Sequence, residues 1–197
     1  IQLSFLVLTS LIVVVAQRFS FLLNTHFLFV AVVCLLVAIL ISELGGVLWA
    51  VWLAVIMALL EPGSPLFTLF ISLTAGLSAA LLARTFKNRT SVFFAGLASG
   101  LIATVAYSAL LIVHGGGLTL ASLPNLLLIC AGGLLAGILA LGLLPLAESS
   151  FGFLTEFRLI ELSNPSTPLL QKLLLEAPGS YQHSLIISNL VEQAVTN

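Results

Sequence analysis

Charged residues are scarce in this chain of 197 residues, where Asp, Glu, Lys and Arg together make up 7%. Soluble globular proteins carry about 25% of these residues, so the composition excludes a soluble domain. The hydrophobic share of 60% and the mean hydropathy of +1.26 indicate an integral membrane protein whose main partner is the lipid bilayer. Six basic and seven acidic residues nearly cancel, which leaves no basic field for binding nucleic acid.

Two other signals are also missing from the chain. The two cysteines, Cys34 and Cys130, lie inside apolar runs, where a free thiol acts as a small hydrophobic side chain and indicates no redox compartment. The chain begins with Ile1 and has neither an initiator Met nor the basic segment of a signal peptide. We therefore interpret it as a fragment of a longer protein.

Long uncharged runs fill most of the chain. A membrane-spanning helix needs about 20 mostly apolar residues, and six runs approach that length. The sequence therefore predicts an all-α, polytopic membrane helical bundle of about six spans over residues 1–148. The runs are approximately Ile1–Ala16, His26–Ser42, Leu44–Leu60, Leu66–Ala83, Ser91–Val113 and Leu123–Ala147.

The basic residues predict the orientation of the bundle. Arg84, Lys87 and Arg89 fall in one short connection between the fourth and fifth runs, and such clusters favour the cytoplasmic side. With six spans, both ends of the chain are then cytoplasmic, which also places Arg158 and Lys172 inside. We expect a multi-pass plasma-membrane protein with this topology.

Small residues recur at helical spacing in the last two runs. Gly96 and Gly100 are four residues apart, as are Gly133 and Gly137, and this spacing lets helix backbones approach closely. The pattern predicts a packing or dimer face, although glycine is also simply common in membrane helices. Ionisable residues occur only at the ends of the runs, whereas a transporter usually holds charge near the membrane midplane.

The character of the chain changes after residue 148. Residues 149–177 predict an amphipathic linker helix, with Ser163 or Asn164 as its N-cap before Pro165. The segment Ala177-Pro-Gly-Ser180 ends that helix and begins another, which carries His183 one turn from its start. His183 shares a face with Ile186 and Leu190 and is a candidate metal ligand, but a lone histidine is more often a structural residue.

The polar positions of this last region resemble those of a known family. Three segments carry the resemblance, which is to the membrane-anchored 7TM-HD family of HD-domain phosphodiesterases. They are Glu161-Leu-Ser-Asn-Pro165, Pro168-Leu-Leu and Leu174-Leu-Glu-Ala-Pro-Gly-Ser-Tyr-Gln-His-Ser-Leu185.

The resemblance implies a seven-helix membrane unit and a cytoplasmic HD domain that hydrolyses cyclic di-AMP with a pair of manganese or iron ions. It implies that His183 is the first metal ligand and that residues 178–197 are the truncated start of the HD domain. The other ligands would follow Asn197, so we expect this fragment to bind no catalytic metal and to be inactive. Ser180 and Gln182 depart from the family pattern, which has Thr and a second His there.

The preferred hypothesis is therefore the sensing and anchoring module of a metal-dependent phosphodiesterase, with a homodimer as a candidate assembly. One alternative is a membrane transporter. The other is a structural membrane anchor whose HD domain is degenerate.

Overall fold

The structure, a computed structural model, describes residues 2–20, 26–83, 89–117, 119–153, 155, 158–159 and 162–196. Every regular element in these ranges is helical, which confirms the predicted all-α fold. Arg84, Lys87 and Glu161 lie outside the described residues. The helices are α1 (Gln2–Ser20), α2 (His26–Leu40), α3 (Glu43–Leu60), α4 (Pro65–Leu82), α5 (Arg89–Val113), α6 (Leu123–Phe151), α7 (Pro168–Glu176) and α8 (Pro178–Thr196), and a 3-10 turn at Leu120–Ser122 precedes α6.

Among the residues that the structure describes, four helices are long and apolar enough to cross a membrane by themselves. They are α3, α4, α5 and α6, and we expect their exposed side chains to contact lipid. Within the described residues, α1 and α2 contribute shorter apolar stretches, Ser4–Val15 and Phe29–Leu40. The total of six spans stays a prediction.

The chain divides into two compact units, residues 1–155 and 156–197. The first unit contains α1 to α6, and the second contains α7 and α8. The division falls inside the segment that the sequence predicts to be a linker.

Helix α2 lies at the centre of the first unit. All nine residues from Val30 to Ala38 are buried, so every face of this part of the helix is covered by neighbouring helices. It packs against α1, α3, α4, α5 and α6. Because it has 15 residues, α2 is about 22 Å long at ~1.5 Å per residue, shorter than a bilayer core.

The buried face of α3 combines small residues with Leu53 and Met57. In α3, Gly46, Ala50 and Ala54 are buried, whereas Leu48, Trp52 and Leu59 on other faces are exposed. A Cβ on Gly46 would lie 2.7 Å from the Cβ of Ala38, so α2 and α3 come too close for a larger residue there. Membrane bundles depend on such close approach, because lipid gives apolar side chains little reason to be buried.

The connection between α2 and α3 is a tight turn at Ile41 and Ser42. The polar residues Ser42 and Glu43 begin α3 instead of forming a longer loop between the two helices. Ser42 is the N-cap of α3, and its hydroxyl accepts a hydrogen bond from the backbone N–H of Gly45 at 3.0 Å. This bond satisfies one of the free N–H groups at the helix start.

Several buried hydroxyls are satisfied inside their own helices. The hydroxyls of Thr9, Ser78 and Ser99 donate to the carbonyls of Leu6, Thr74 and Gly96 at 2.9, 2.6 and 2.8 Å. A hydroxyl that bonds one turn back needs no partner on another helix. These three side chains are therefore compatible with close packing and do not by themselves form a polar pathway.

The second unit contains the predicted linker helix, with one difference at its start. Helix α7 begins at Pro168 with Thr167 as its N-cap residue, so the prediction of Ser163 or Asn164 was wrong. The side chain of Asn164 instead accepts from the N–H of Ser166 at 3.0 Å, which makes a turn around Pro165. The second proline, Pro168, takes the first helical position, where its missing N–H costs nothing.

Candidate functional site

The four glycines predicted as a packing face lie opposite one another between α5 and α6 of the same chain. A Cβ built on Gly133 would lie 2.3 Å from the Cα of Gly100, and one on Gly96 would lie 2.4 Å from the Cα of Gly137. On Gly137 it would lie 2.7 Å from the carbonyl oxygen of Phe93. Real Cβ contacts below 3.0 Å essentially never occur, so the two backbones touch wherever these glycines meet.

This glycine contact makes α5 and α6 the most closely packed neighbours in the first unit. Because the face is covered within the chain, a second copy would have to use another surface. The dimer face stays a prediction.

One end of the α5–α6 pair is held by an aromatic and polar group that the sequence analysis missed. The side-chain amide of Asn125 on α6 donates to the Tyr107 hydroxyl of α5 at 3.3 Å. The ring of Phe67 on α4 lies 4.8 Å from His114 and 6.4 Å from Tyr107, measured between centroids. Polar and aromatic residues near the ends of apolar runs are the signal that would have indicated these contacts.

The other end of α6 leads out of the first unit and has its own contacts. Gly152 ends the helix in the left-handed conformation, with φ of 66°, which glycine adopts readily. Glu148 and Thr155 are 8% and 4% exposed, and the Thr155 hydroxyl donates a hydrogen bond to the Glu148 carboxylate. The chain therefore folds back on α6 as it leaves the helix.

Helix α1 contacts the residues at this end of α6. The ring of Phe5 packs edge to face against Phe151 at 5.0 Å and against Phe153 at 5.5 Å. Phe5 is 3% exposed, so this contact buries it almost completely. Nothing in the spacing of the sequence indicated that Phe5 would meet these two rings. We call Phe5, Glu148, Phe151, Phe153 and Thr155 the exit cluster.

The candidate metal ligand lies in the second unit. His183 is exposed on α8, as are Ile186 and Leu190 on the same face. Within the part of the chain that the structure describes, no three His, Cys, Asp or Glu side chains form a group that could hold a metal ion. His183 as a ligand stays a prediction.

The apolar helices of the fold define the class of this protein, which is a multi-pass helical membrane protein. A model of the family described as "7TM receptor with intracellular HD hydrolase" matches residues 1–155, which is the whole first unit. The chain therefore belongs to this family, as its polar motifs had indicated.

Three relatives match as well. The chain is 35% identical over 173 residues to a cyclic-di-AMP phosphodiesterase named PgpH from Listeria monocytogenes, covering 86% of this chain and 24% of that protein. It is 37% identical over 123 residues to PgpH of Bacillus subtilis, covering 62% and 17%. An uncharacterized protein of Synechocystis is 35% identical over 127 residues, covering 62% and 16%.

The chain thus spans about a quarter of the length of the Listeria relative. That alignment is longer than the region of the family model, so the similarity continues into the second unit. No solved structure matches the chain significantly.

Proposed function

We propose that this chain is the membrane-embedded sensing and anchoring unit of an HD-type, metal-dependent phosphodiesterase that hydrolyses cyclic di-AMP. The observation that carries the proposal is the alignment with the Listeria phosphodiesterase, which continues beyond the membrane helices into the second unit. In this proposal, residues 1–148 form the membrane domain, 149–177 the linker, and 178–197 the start of a catalytic domain that continues after this chain.

The packing of the first unit supports a mechanical role. Packed helices are among the elements that can carry a signal between two sites, and the glycine contact brings the backbones of α5 and α6 together. Helix α6 continues from Leu123 to Phe151 at the exit cluster and contains Pro145 near its end. A displacement of the pair would therefore reach the last turns of α6 through this proline.

The distribution of charge argues against the transporter alternative. In the described residues of α1 to α6, acidic and basic side chains such as Glu43 and Glu148 lie within about a turn of a helix end, whereas transporters usually hold charge near the membrane midplane. We propose no transport activity.

A manganese or iron pair belongs to the catalytic domain in this proposal, and the residues described here do not make its site. His183 would supply one imidazole, and in the described part of the chain it belongs to no group of three or more possible ligands. Two-metal sites need several such ligands, so we derive no metal-dependent step from this chain.

The orientation in this proposal has both ends of the chain in the cytoplasm. It is supported by Arg84, Lys87 and Arg89 between α4 and α5. Single cysteines at Ser163 and Gly63, both exposed, would be placed in a chain with Cys34→Ala and Cys130→Ala. We expect a membrane-impermeant maleimide to label Gly63→Cys in intact cells and Ser163→Cys only after permeabilisation. The reverse pattern would contradict the orientation.

The enzymatic proposal is tested on the protein as its gene encodes it, purified into lipid nanodiscs with Mn²⁺. We expect cleavage of cyclic di-AMP to a linear dinucleotide, inhibited by EDTA and abolished by His183→Ala. The matched control is Gln182→Ala, on the neighbouring residue, which we expect to retain activity. No cleavage, or equal cleavage by His183→Ala, would overturn the proposal.

A homodimer remains compatible with this function through a surface other than the glycine contact. Large apolar side chains of α3, such as Leu48 and Trp52, are exposed in the single chain and are available to lipid or to a second copy. Cross-linking in native membranes would show whether these side chains contact lipid or a second copy of the chain.

A further inference from the structure

The described side chains of α1 bury one narrow stripe. Phe5, Thr9 and Val13 follow one another at intervals of four residues and are buried, whereas Leu8 and Ile12 between them are about half exposed. The helix packs against α2 and, at fewer positions, against α3. A displacement of α1 would therefore act on its neighbours through this stripe.

The buried stripe of α1 ends on the exit cluster. Phe5 contacts both rings that flank Gly152, the residue at which α6 ends. On the other side of the same turn, Thr155 is tied back to Glu148 by its hydroxyl. The exit cluster thus joins α1 to the last turn of α6.

Helix α6 lacks one of its backbone hydrogen bonds just before the exit cluster. Pro145 has no N–H, so the carbonyl of Leu141 loses its helical hydrogen bond. Gly142 is adjacent to that carbonyl, and a Cβ at Gly142 would meet no atom within 4 Å. Packing therefore does not explain a glycine here, in contrast to Gly133. A missing bond beside a glycine is a common cause of bending in helices.

We propose that the exit cluster is a releasable restraint, in which α1 holds the last turns of α6 through Phe5. When α1 moves, Phe5 leaves Phe151 and Phe153, and the end of α6 pivots at Gly142–Pro145. That such a release changes the activity of a catalytic domain rests on the proposed function. That α1 restrains the end of α6 does not.

The restraint is tested by amide hydrogen exchange of this chain in lipid nanodiscs. Phe5→Ala removes both edge-to-face contacts, and we expect the amides of residues 149–155 to exchange at least about fivefold faster. Leu8→Ala is the matched control, because it truncates a side chain on the exposed face of the same helix. It should leave the exchange of residues 149–155 unchanged.

A second pair of variants keeps the test decisive where Phe5→Ala disturbs folding. Thr155→Val preserves the shape of the side chain and removes its hydroxyl, whereas Thr155→Ser keeps the hydroxyl. We expect faster exchange of residues 149–153 with Thr155→Val and no change with Thr155→Ser. Unchanged exchange in both Phe5→Ala and Thr155→Val, or equal acceleration in Leu8→Ala, would overturn the proposal.

Because the readout is amide exchange, the result does not depend on catalysis. A protein without phosphodiesterase activity could still show the restraint, and an active one could lack it. The two proposals therefore fail in distinguishable ways.

Discussion

Replacing Gly133 by alanine is the sharpest perturbation of the helix pair. The new Cβ would lie 2.3 Å from the Cα of Gly100, whereas ordinary van der Waals contact begins at 3.4 Å. The obstacle is backbone, so no side chain can rotate away. Helices α5 and α6 must separate locally by about 1 Å, which loses contacts along their whole crossing.

The expected cost follows from this geometry. Overpacking of this kind costs about 1–3 kcal/mol, and the better helix propensity of alanine returns at most about 1 kcal/mol. We therefore expect Gly133→Ala to lower the free energy of unfolding by about 1–2 kcal/mol. Gly142→Ala on the same helix is the matched control. It meets no atom within 4 Å and should raise the free energy of unfolding by up to about 1 kcal/mol.

Reversible unfolding in mixed micelles, followed by circular dichroism, measures both changes. The double variant Gly100→Ala with Gly133→Ala adds a further check, because both substitutions obstruct the same contact. Once the helices have separated for one alanine, the second should cost less than it does alone. Equal stabilities of Gly133→Ala and Gly142→Ala, or strictly additive costs, would refute the reasoning.

Three further predictions concern other parts of the first unit. Ser42→Ala removes the cap of α3 and should lower the free energy of unfolding by about 1 kcal/mol, whereas Ser42→Asp should not; equal losses would contradict the capping role. Tyr107→Phe removes the hydrogen bond from Asn125 and should also cost about 1 kcal/mol in the same assay, and an unchanged stability would show that the bond contributes nothing. Cys34 is fully buried and Cys130 is partly exposed. A membrane-permeant maleimide, detected by mass spectrometry, should therefore react with Cys130 long before it reacts with Cys34. Equal rates would contradict the packing of α2.

The sequence predicted the helices well because their signal is local. Apolar runs ended by Pro, Gly or charge indicate where α3, α4, α5 and α6 lie, and Ala177-Pro178 marks the break between α7 and α8. Spacing also indicated the four glycines of α5 and α6. It could not indicate whether they would face each other or a second chain, because helical periodicity defines a face and not its neighbour.

The exit cluster could not be predicted in the same way. Phe5 and Phe151 are separated by almost the whole first unit, and no local pattern links two such positions. The prediction of the N-cap of α7 failed for a different reason. Two prolines, Pro165 and Pro168, each stand where a helix could begin, and the sequence does not show which one does. Asn164 is used in a turn around the first, so the second begins the helix. The sequence likewise could not predict that α2 is buried on all sides, because a helix surrounded by lipid and a helix surrounded by protein contain the same apolar residues.

The most direct test of the account is the rate of cyclic di-AMP cleavage in native membranes, measured on the protein as its gene encodes it. Thr155→Val and Thr155→Ser would be compared with the unmodified protein at equal expression. The account predicts cleavage by all three, with a several-fold change in rate for Thr155→Val and none for Thr155→Ser. Absence of cleavage, or identical rates in the three proteins, would contradict a membrane unit that controls a phosphodiesterase through the end of α6.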